Sequence, residues 1–294
     1  MDQIEFNYNE AISRNIGWVS EQEQLKLKNS KVAIAGLGGV GGNYLLTLCR
    51  LGITKFHISD FDEFELANFN RQVGATVSNL KKNKLDAMID LAKDINPEID
   101  IKSFPQGIND SNLDDFLEGV DVYLDGLDVF CLELREVLFK KAREKGIHAI
   151  TVGPVGMGAA LVSFSPDGMS FDDYFGLSRS NTLAEKALRF VMGIAPSGIH
   201  QKSLVIPERM DFKNKKAPST FMGCQLCAGV AGTELLKALL KRGPILCAPY
   251  SLHFDAYSCQ YKKIYLWLGY RNPLQRFKLW MAKKVFRESF LDSH

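Results

Sequence analysis

Five short apolar runs set between helix-like segments constrain this 294-residue chain more than any other feature. Segments 31–35, 55–59, 99–104, 120–124 and 147–152 read as strands, and segments 40–51, 80–95 and 133–145 read as helices between them. The runs are too short for helices, and most lack polar alternation. They therefore suit strands covered on both faces, as parallel sheets require. Helices at this spacing supply the crossovers, so the alternation predicts a doubly wound, mainly parallel α/β sheet. The stop signals agree: the stripe Leu85, Met88, Ile89, Ala92 ends before Pro97, and Gly146 closes the charged helix 133–145. Beyond Gly153 the rhythm changes. Segment 159–164 reads as a returning strand, 227–241 as a strong helix, and 251–256 with 261–268 as a hairpin, which together predict a C-terminal antiparallel extension. Between them, 165–220 is a long excursion with one helix at 181–191, and excursions of this length are usually functional or disordered.

Composition removes several classes of function. Lys plus Arg number 36 and Asp plus Glu 34, a net charge of +2, so nucleic acid is not an expected partner. Hydrophobic residues at 46% and charged residues at 24% exclude wholesale disorder. Six cysteines are too few for a disulfide scaffold. The longest apolar runs, 32–42 and 152–162, are Gly-rich and fall short of the ~20 residues a bilayer span needs. The first residues are acidic and lack an apolar signal-like core, so a cytoplasmic, reduced chain is expected.

Gly36, Gly38, Gly39 and Gly41 lie between the first strand and the first core helix. Glycines there let the backbone turn tightly and approach phosphate, and the helix N-terminus adds free N–H groups and partial positive charge. Asp60 follows Gly41 by 19 residues at the end of the second strand, where an acid can bind ribose hydroxyls. A dinucleotide dehydrogenase would use the same parts, but the next segment argues otherwise. Asp62, Asn68, Asn70, Arg71 and Gln72 cluster acids and amides around one arginine, and Lys84 follows 13 residues after Arg71. Two cations at a nucleotide crevice suit a triphosphate that must lose pyrophosphate, and hydride transfer has no use for them. For Lys84 alone, beside Lys81 and Lys82, a solvated charged face is the simpler account. The fourth strand runs into Asp125-Gly-Leu-Asp128, and Asp128 is a sensible Mg²⁺ anchor or a cap for the following helix.

These residues together resemble the E1-like adenylyltransferases, the ThiF, MoeB, HesA and ubiquitin-activating-enzyme type domains. The resemblance covers roughly 10–165 and the helix near 221–241. It is carried, in order, by Arg14, the 36–41 loop, Asp60 with Asp62, Asn68-x-x-Arg71-Gln72, Lys84, and Asp125-x-x-Asp128 followed by Arg135. It implies a Rossmann-like domain that binds ATP with Mg²⁺ and activates a carboxylate as its acyl adenylate. By that resemblance the glycine loop, Asp60, Asp62, Asn68, Arg71, Gln72 and Lys84 bind the nucleotide, with Asp60 on the ribose. Asn68, Arg71 and Lys84 steady the phosphates, Asp128 holds Mg²⁺, and Arg14 reaches into the partner's site of a homodimer. Arg14, Arg71, Lys84 and Asp128 are thus the implied catalytic set. The organisation expected is an N-terminal helical arm 1–29, an adenylation core 30–164, an acceptor-side excursion 165–220, a core-completing helix and hairpin 221–270, and a basic amphipathic tail 271–294. The expected acceptor is the C-terminus of a peptide or a small ubiquitin-like or sulfur-carrier protein.

Departures from the family pattern shape the expectation. Many members hold zinc with two Cys-x-x-Cys pairs; here only Cys224-Gln-Leu-Cys227 exists, so zinc is not expected and buried thiols are. No Cys lies between Cys131 and Cys224, so no thioester step is expected. The stretch 165–175 resembles a segment of bacterial E1-like proteins, some fused to nitroreductase-like domains. In it, Asp172, Asp173 and Tyr174 could shape an acceptor site or merely anchor a surface. His148 and His200 have no Ser or Cys partner at a readable spacing and fit core or surface roles, while Ser219 and Thr220 read as caps. The tail carries Phe277, Trp280, Met281, Val285, Phe286 and Phe290 among Arg271, Arg276, Lys278, Lys283, Lys284 and Arg287. It suits an anionic membrane or a partner, with packing on its own protein or a dimer mate preferred. Two alternatives remain: the ATP-dependent cyclisation of a tRNA threonylcarbamoyladenosine dehydratase, and a non-catalytic nucleotide-binding partner module.

Overall fold

The computed structural model describes residues 5–211 and 216–285. One eight-stranded sheet organises them in the order β3-β2-β1-β4-β5-β6-β7-β8. The strands are β1 Lys31–Ala35, β2 Lys55–Ser59, β3 Asp100–Phe104, β4 Val122–Asp125, β5 His148–Pro154, β6 Gly158–Phe164, β7 Tyr250–Asp255 and β8 Gln260–Tyr265. The five from β3 to β5 are parallel, and β6, β7 and β8 continue antiparallel.

Ten helices flank the sheet among the described residues: α1 Tyr8–Ala11, α2 Glu21–Asn29, α3 Gly41–Leu51, α4 Lys84–Ile95, α5 Leu113–Phe116, α6 Leu132–Glu144, α7 Phe171–Phe175, α8 Leu183–Ile194, α9 Phe221–Leu240 and α10 Pro273–Val285. Period-2 geometry explains the two cores. Val32 and Ile34 of β1 and Val122 and Leu124 of β4 join Leu45, Met88 and Leu235 on the side of α3, α4 and α9. Ala33, Ala35 and Tyr123 point the other way, toward Leu138, Phe139 and Phe190 of α6 and α8. Strands apolar on both faces are what the unbroken runs in the sequence required.

Boundaries differ most from the expectation at the starts of two helices, and α8, expected at 181–191, runs from Leu183 to Ile194. The stripe read from residue 80 becomes helical only at Lys84, because Lys81 takes φ +62° and the Asn83 side chain caps the Leu85 N–H at 2.9 Å. Conversely, α9 starts six residues before Cys227, capped by Thr220, whose Oγ1 accepts from Gly223 N at 3.2 Å. The excursion contains α7 as well as α8. Residues 212–215 and the tail's Phe286, Arg287 and Phe290 lie outside the described residues. Among the described residues no helix is long and apolar enough to cross a membrane.

Candidate active site

The strand order reverses between β1 and β4, and in doubly wound sheets the crevice beyond those strand ends binds ligands. Two loops meet there. Gly36 sits at φ +84°, and a Cβ on Gly41 would lie 1.8 Å from the Gly36 carbonyl oxygen. A Cβ on Gly126, in the loop after β4, would lie 2.4 Å from the same oxygen. Glycine is therefore required at 36, 41 and 126 by backbone meeting backbone. Gly126 had no role in the sequence reading, because its need arises from a partner loop far away in the chain.

Gly38 and Gly39 face a different neighbourhood. The nearest atom to a Cβ on Gly38 is Gln72 Nε2 at 3.7 Å, and Gly39 lies against Cys224 Sγ and the Arg71 side chain. Asn43 Nδ2 donates to Gly39 O at 2.7 Å and fixes the loop on the first turn of α3. Gly42 N already donates to Gly38 O at 3.2 Å, so it is the N–H groups ahead of it, before the first helical bond, that a ligand can use.

Asp60 braces this loop from behind. Its Oδ2 accepts from Leu37 N at 2.7 Å and its Oδ1 from Asp62 N at 2.9 Å, and burial pushes the carboxyl above its usual range. Each oxygen keeps a lone pair for a further donor. Asp62 pairs with Lys84, Nζ to Oδ2 2.9 Å, and Lys84 is only 6% exposed at the start of α4. A lysine face open to solvent is thereby replaced by a buried, held ammonium with two donors left over.

Asn68 is buried and structural as well as polar. Its Oδ1 accepts from Glu65 N at 2.9 Å, and its carbonyl accepts from Arg71 N and Gln72 N, which builds the turn that carries both. Arg71 Nη1 donates to Ala67 O at 2.7 Å and Asn70 Oδ1 at 3.1 Å. Gln72 is buried, and its Oε1 has no partner among the described residues.

Across the crevice, Asp125 ends β4 fully buried. Its Oδ2 accepts from Arg135 Nε at 2.7 Å and Thr151 Oγ1 at 2.8 Å. Arg135 Nη2 donates onward to the carbonyls of Leu127 and Asp128 at 2.8 and 3.1 Å, so one buried cation clamps the whole loop. Asp128 is exposed, and its Oδ1 accepts from Phe130 N at 3.0 Å, a cap-like bond two residues ahead of α6. The Cys131 thiol is pushed up by burial first and then by the charge of Asp128, with Arg135 acting the other way.

Arg14 is not in this crevice. Asn15 beside it donates to the carbonyls of Arg50 and Leu51 at the far end of α3, 3.4 and 3.3 Å away. Eleven helical residues, about 16 Å, separate that end from the glycine loop. Arg14 itself is exposed, with no partner among the described residues.

Among the other candidates, Tyr174 and the two cysteines are buried, while Asp172 and the exposed Asp173 hold local turns at the surface. Tyr174 is buried and donates to Gly193 O at 3.0 Å, Asp172 accepts from Ser178 N and Oγ, and Asp173 takes the Ser170 hydroxyl. His148 is 2.6 Å from Ser163 Oγ, and burial lowers it to about 4. Cys224 and Cys227 are buried, and burial raises both thiols. The sequence reading missed His253 and Asp255, which β7 brings to one face beside His200. His253 Nε2, His200 Nδ1 and Asp255 Oδ1 are buried without partners among the described residues. Only the period-2 spacing of 253 and 255 signalled the pair.

The family model described as ThiF family matches residues 12–273, most of the chain. The chain belongs to the ThiF family. It is similar to the tRNA threonylcarbamoyladenosine dehydratase of Bacillus subtilis, 32% identical over 149 residues, which are 50% of this chain and 56% of that relative. The molybdopterin-synthase adenylyltransferase of Haemophilus influenzae is 28% identical over 187 residues, covering 62% of this chain and 76% of the relative. The match thus spans about half the length of the Bacillus relative. Crystal structures of ThiF-like fold include Escherichia coli MccB with ATP, at TM-score 0.65 and 21% identity, covering 93% of this chain and 74% of that one. PaaA is alike at TM-score 0.65 and 19% identity, covering 90% and 77%. In this ThiF chain the interlocked glycine loops, the loop carrying Asp62 and the loop carrying Asp128 all leave the carboxyl ends of neighbouring interior strands, β1, β2 and β4.

Proposed function

We propose that this chain is an ATP-dependent adenylyltransferase that activates a carboxylate, the C-terminus of a peptide or small ubiquitin-like or sulfur-carrier protein, as its acyl adenylate. The observation that carries the reading is the crevice itself. Three backbone-locked glycines leave a helix N-terminus open to phosphate. A buried lysine and a half-buried arginine flank it on one bank, and an exposed carboxylate stands on the other. A nicotinamide site has no need of that charge pattern. The names of the family relatives and the ATP-bound MccB structure agree with it.

The chemistry follows from these positions. A carboxylate is a weak nucleophile and hydroxide a poor leaving group. Attack of a carboxylate oxygen on the α-phosphorus forms one P–O bond, breaks the bond to the β-phosphate and releases pyrophosphate. Lys84, with two donors free of Asp62, and Arg71, with donors free of Ala67 and Asn70, offset the charge that grows on the phosphate oxygens. The orphaned Gln72 Oε1 beside Gly38 offers an acceptor to the nucleotide. Asp60, already committed to Leu37 and Asp62, keeps lone pairs for ribose hydroxyls.

Among the described residues no group of three or more His, Cys, Asp or Glu is arranged to hold a metal by itself. Mg²⁺ needs no such group, since it favours one or two carboxylates together with phosphate oxygens. Asp128, with one oxygen on Phe130 N and the other without a partner among the described residues, fits that donor set. Bound there, Mg²⁺ would neutralise triphosphate charge.

Arg14 supports a homodimer. It lies exposed in the turn Ser13–Asn15, packed beside the end of α3 remote from its own glycine loop, where it is free to meet the site of a second copy. With no cysteine between Cys131 and Cys224, the product is the adenylate or a conjugate formed from it, without an enzyme thioester. A cytoplasmic setting suits free thiols and ATP. The test is ATP–pyrophosphate exchange with candidate peptides and carrier proteins, read also by a mass increase of one AMP. Arg71→Ala and Asp128→Ala should each lower exchange about 100-fold or more, and exchange that survives both substitutions removes the assigned roles. A second reading, cyclisation of a carboxylate on tRNA, is favoured by the 32% identity to the Bacillus dehydratase, and would show as AMP release on adding tRNA.

A further inference from the structure

α10 presents three faces. At about 100° per residue, Gln275, Lys278, Leu279 and Ala282 share the side turned to the protein. There Gln275 Nε2 donates to Met192 O at 2.9 Å, Lys278 Nζ donates to Pro196 O at 2.8 Å, and Leu279 and Ala282 pack on the core. The opposite side carries Leu274, Phe277, Trp280 and Met281, which are 61%, 54%, 52% and 48% exposed. Trp267 and Leu268, in the turn before the helix, are half exposed as well. Between these faces, Arg276 and Lys283 join Arg189, Arg271, Tyr270 and Trp280 around an open cavity of about 350 Å³.

The charge of that cavity is unbalanced. Glu185 serves both Arg189 and Lys283, Asp173 serves Arg271, and the Arg276 side chain has no partner among the described residues. Four cations against two acids leave a surplus of two. On the helical wheel Lys284 falls between Trp280 and Phe277, and its Nζ lies 3.8 Å above the Trp280 ring, so one further cation stands within the apolar side at its C-terminal end.

We propose that this surface docks the chain on an anionic phospholipid membrane, with Leu274, Phe277, Trp280 and Met281 entering the acyl boundary and the cavity receiving lipid phosphates. An in-plane helix needs a mainly apolar side, aromatic rings at headgroup level and cations along one flank. α10 has Leu274, Phe277, Trp280 and Met281 on one side, Arg276 and Lys283 on the flank, and a single lysine, Lys284, on the apolar side, long enough to carry its charge up to the headgroups. A second copy of the chain answers this surface less well: a two-fold contact buries the same patch on both partners, and with it the cavity's surplus of two positive charges from each copy. Nucleic acid would answer the cations but leave the apolar side chains in water. The reading is independent of the adenylation chemistry, since this surface is built by α8 and α10 rather than by the crevice.

The test is co-sedimentation of the full chain, without ATP, with phosphatidylcholine vesicles and with vesicles that also contain phosphatidylglycerol. Binding should be confined to the anionic vesicles, weaken as salt is raised, and blue-shift the tryptophan emission. Phe277→Glu with Trp280→Glu should abolish it, and Arg276→Glu with Lys283→Glu, which lie on the cavity flank and spare the apolar side, should weaken it about thirtyfold. Equal binding to neutral vesicles, no binding at low salt, or binding unchanged in the charge-reversed variant would overturn the proposal. So would a dimer that the Phe277→Glu, Trp280→Glu variant converts to monomer, because the face would then belong to a second copy.

Discussion

Arg135 offers the sharpest perturbation of the site. Its side chain is 2% exposed and that of Asp125 1%, so the pair is a buried salt bridge with almost no water to screen it. Replacement by methionine keeps much of the length and removes the charge. Asp125 is then left buried without its cation, and the carbonyls of Leu127 and Asp128 lose their donors. Breaking a buried pair from one side costs about 3–5 kcal/mol. At about 2–4 °C per kcal/mol for a chain of this size, Arg135→Met should lower Tm by roughly 6–20 °C. Adding Asp125→Asn removes the stranded charge while leaving an acceptor for Thr151, so the double variant should recover about 2 kcal/mol relative to the sum of the single changes. Urea unfolding of the four proteins in the cycle measures this coupling. ATP binding by calorimetry should fail to recover in the double variant, because the clamp on the loop carrying Asp128 is still missing. A coupling below about 0.5 kcal/mol, or full ATP affinity in Arg135→Met, would refute the claim that this buried cation organises the crevice.

Gly41→Ala places a Cβ 1.8 Å from a backbone oxygen and should abolish ATP binding, whereas Gly229→Ala, with nothing within 4 Å in mid-α9, should raise stability by about 0.5–1 kcal/mol in urea titrations. Gly39→Ala meets Cys224 Sγ at 3.0 Å, a side chain that can be shortened, so Cys224→Ala should restore ATP binding lost in the single variant. His148 is held neutral in the fold, near 4 against 6.5 for the free side chain, so the unfolded chain takes up its proton first as pH falls. The stability lost is nil above about pH 7, reaches about 2 kcal/mol at pH 5 and levels off below pH 4. His148→Gln, which keeps a partner for Ser163, should flatten the urea midpoint between pH 7 and 5; an unchanged slope would exclude His148 as the source. Mixing Arg14→Ala with Asp128→Ala should regenerate about a quarter of wild-type exchange if each site borrows Arg14 from its partner, and none if it does not.

What the sequence made legible follows the range of the interactions involved. The strands at 31–35 and 55–59 match residue for residue, because runs buried on both faces leave a local, unbroken signature. α4 was read from Leu80, since an apolar residue in register looks helical until Lys81 turns left-handed, and that turn is set by Phe64 O, which accepts from Lys81 N at 2.8 Å. Periodicity alone picks up α9 only from Cys227, because its first turns, Phe221 to Leu226, contain a glycine and a single polar residue, Gln225, too little to mark a stripe, whereas the family resemblance places the helix near 221–241. The site shows the same division. Glycines next to a strand are visible as a motif, but the need for Gly126 exists only where two loops from β1 and β4 share 2–3 Å of space. Arg135 sits in a helix whose neighbours are Glu133, Glu136, Lys140 and Lys141, and nothing local separates the one charge that is wholly buried from those that are solvated. His253 and Asp255 illustrate the limit further: their orphaned atoms come into view only when the excursion folds His200 over β7. A charge or a glycine therefore reveals its chemistry locally, but its task is set by whatever distant backbone closes over it. In this chain that closure comes from the loop after β4, and the electrostatics of the crevice depend on how rigidly Arg135 holds that loop.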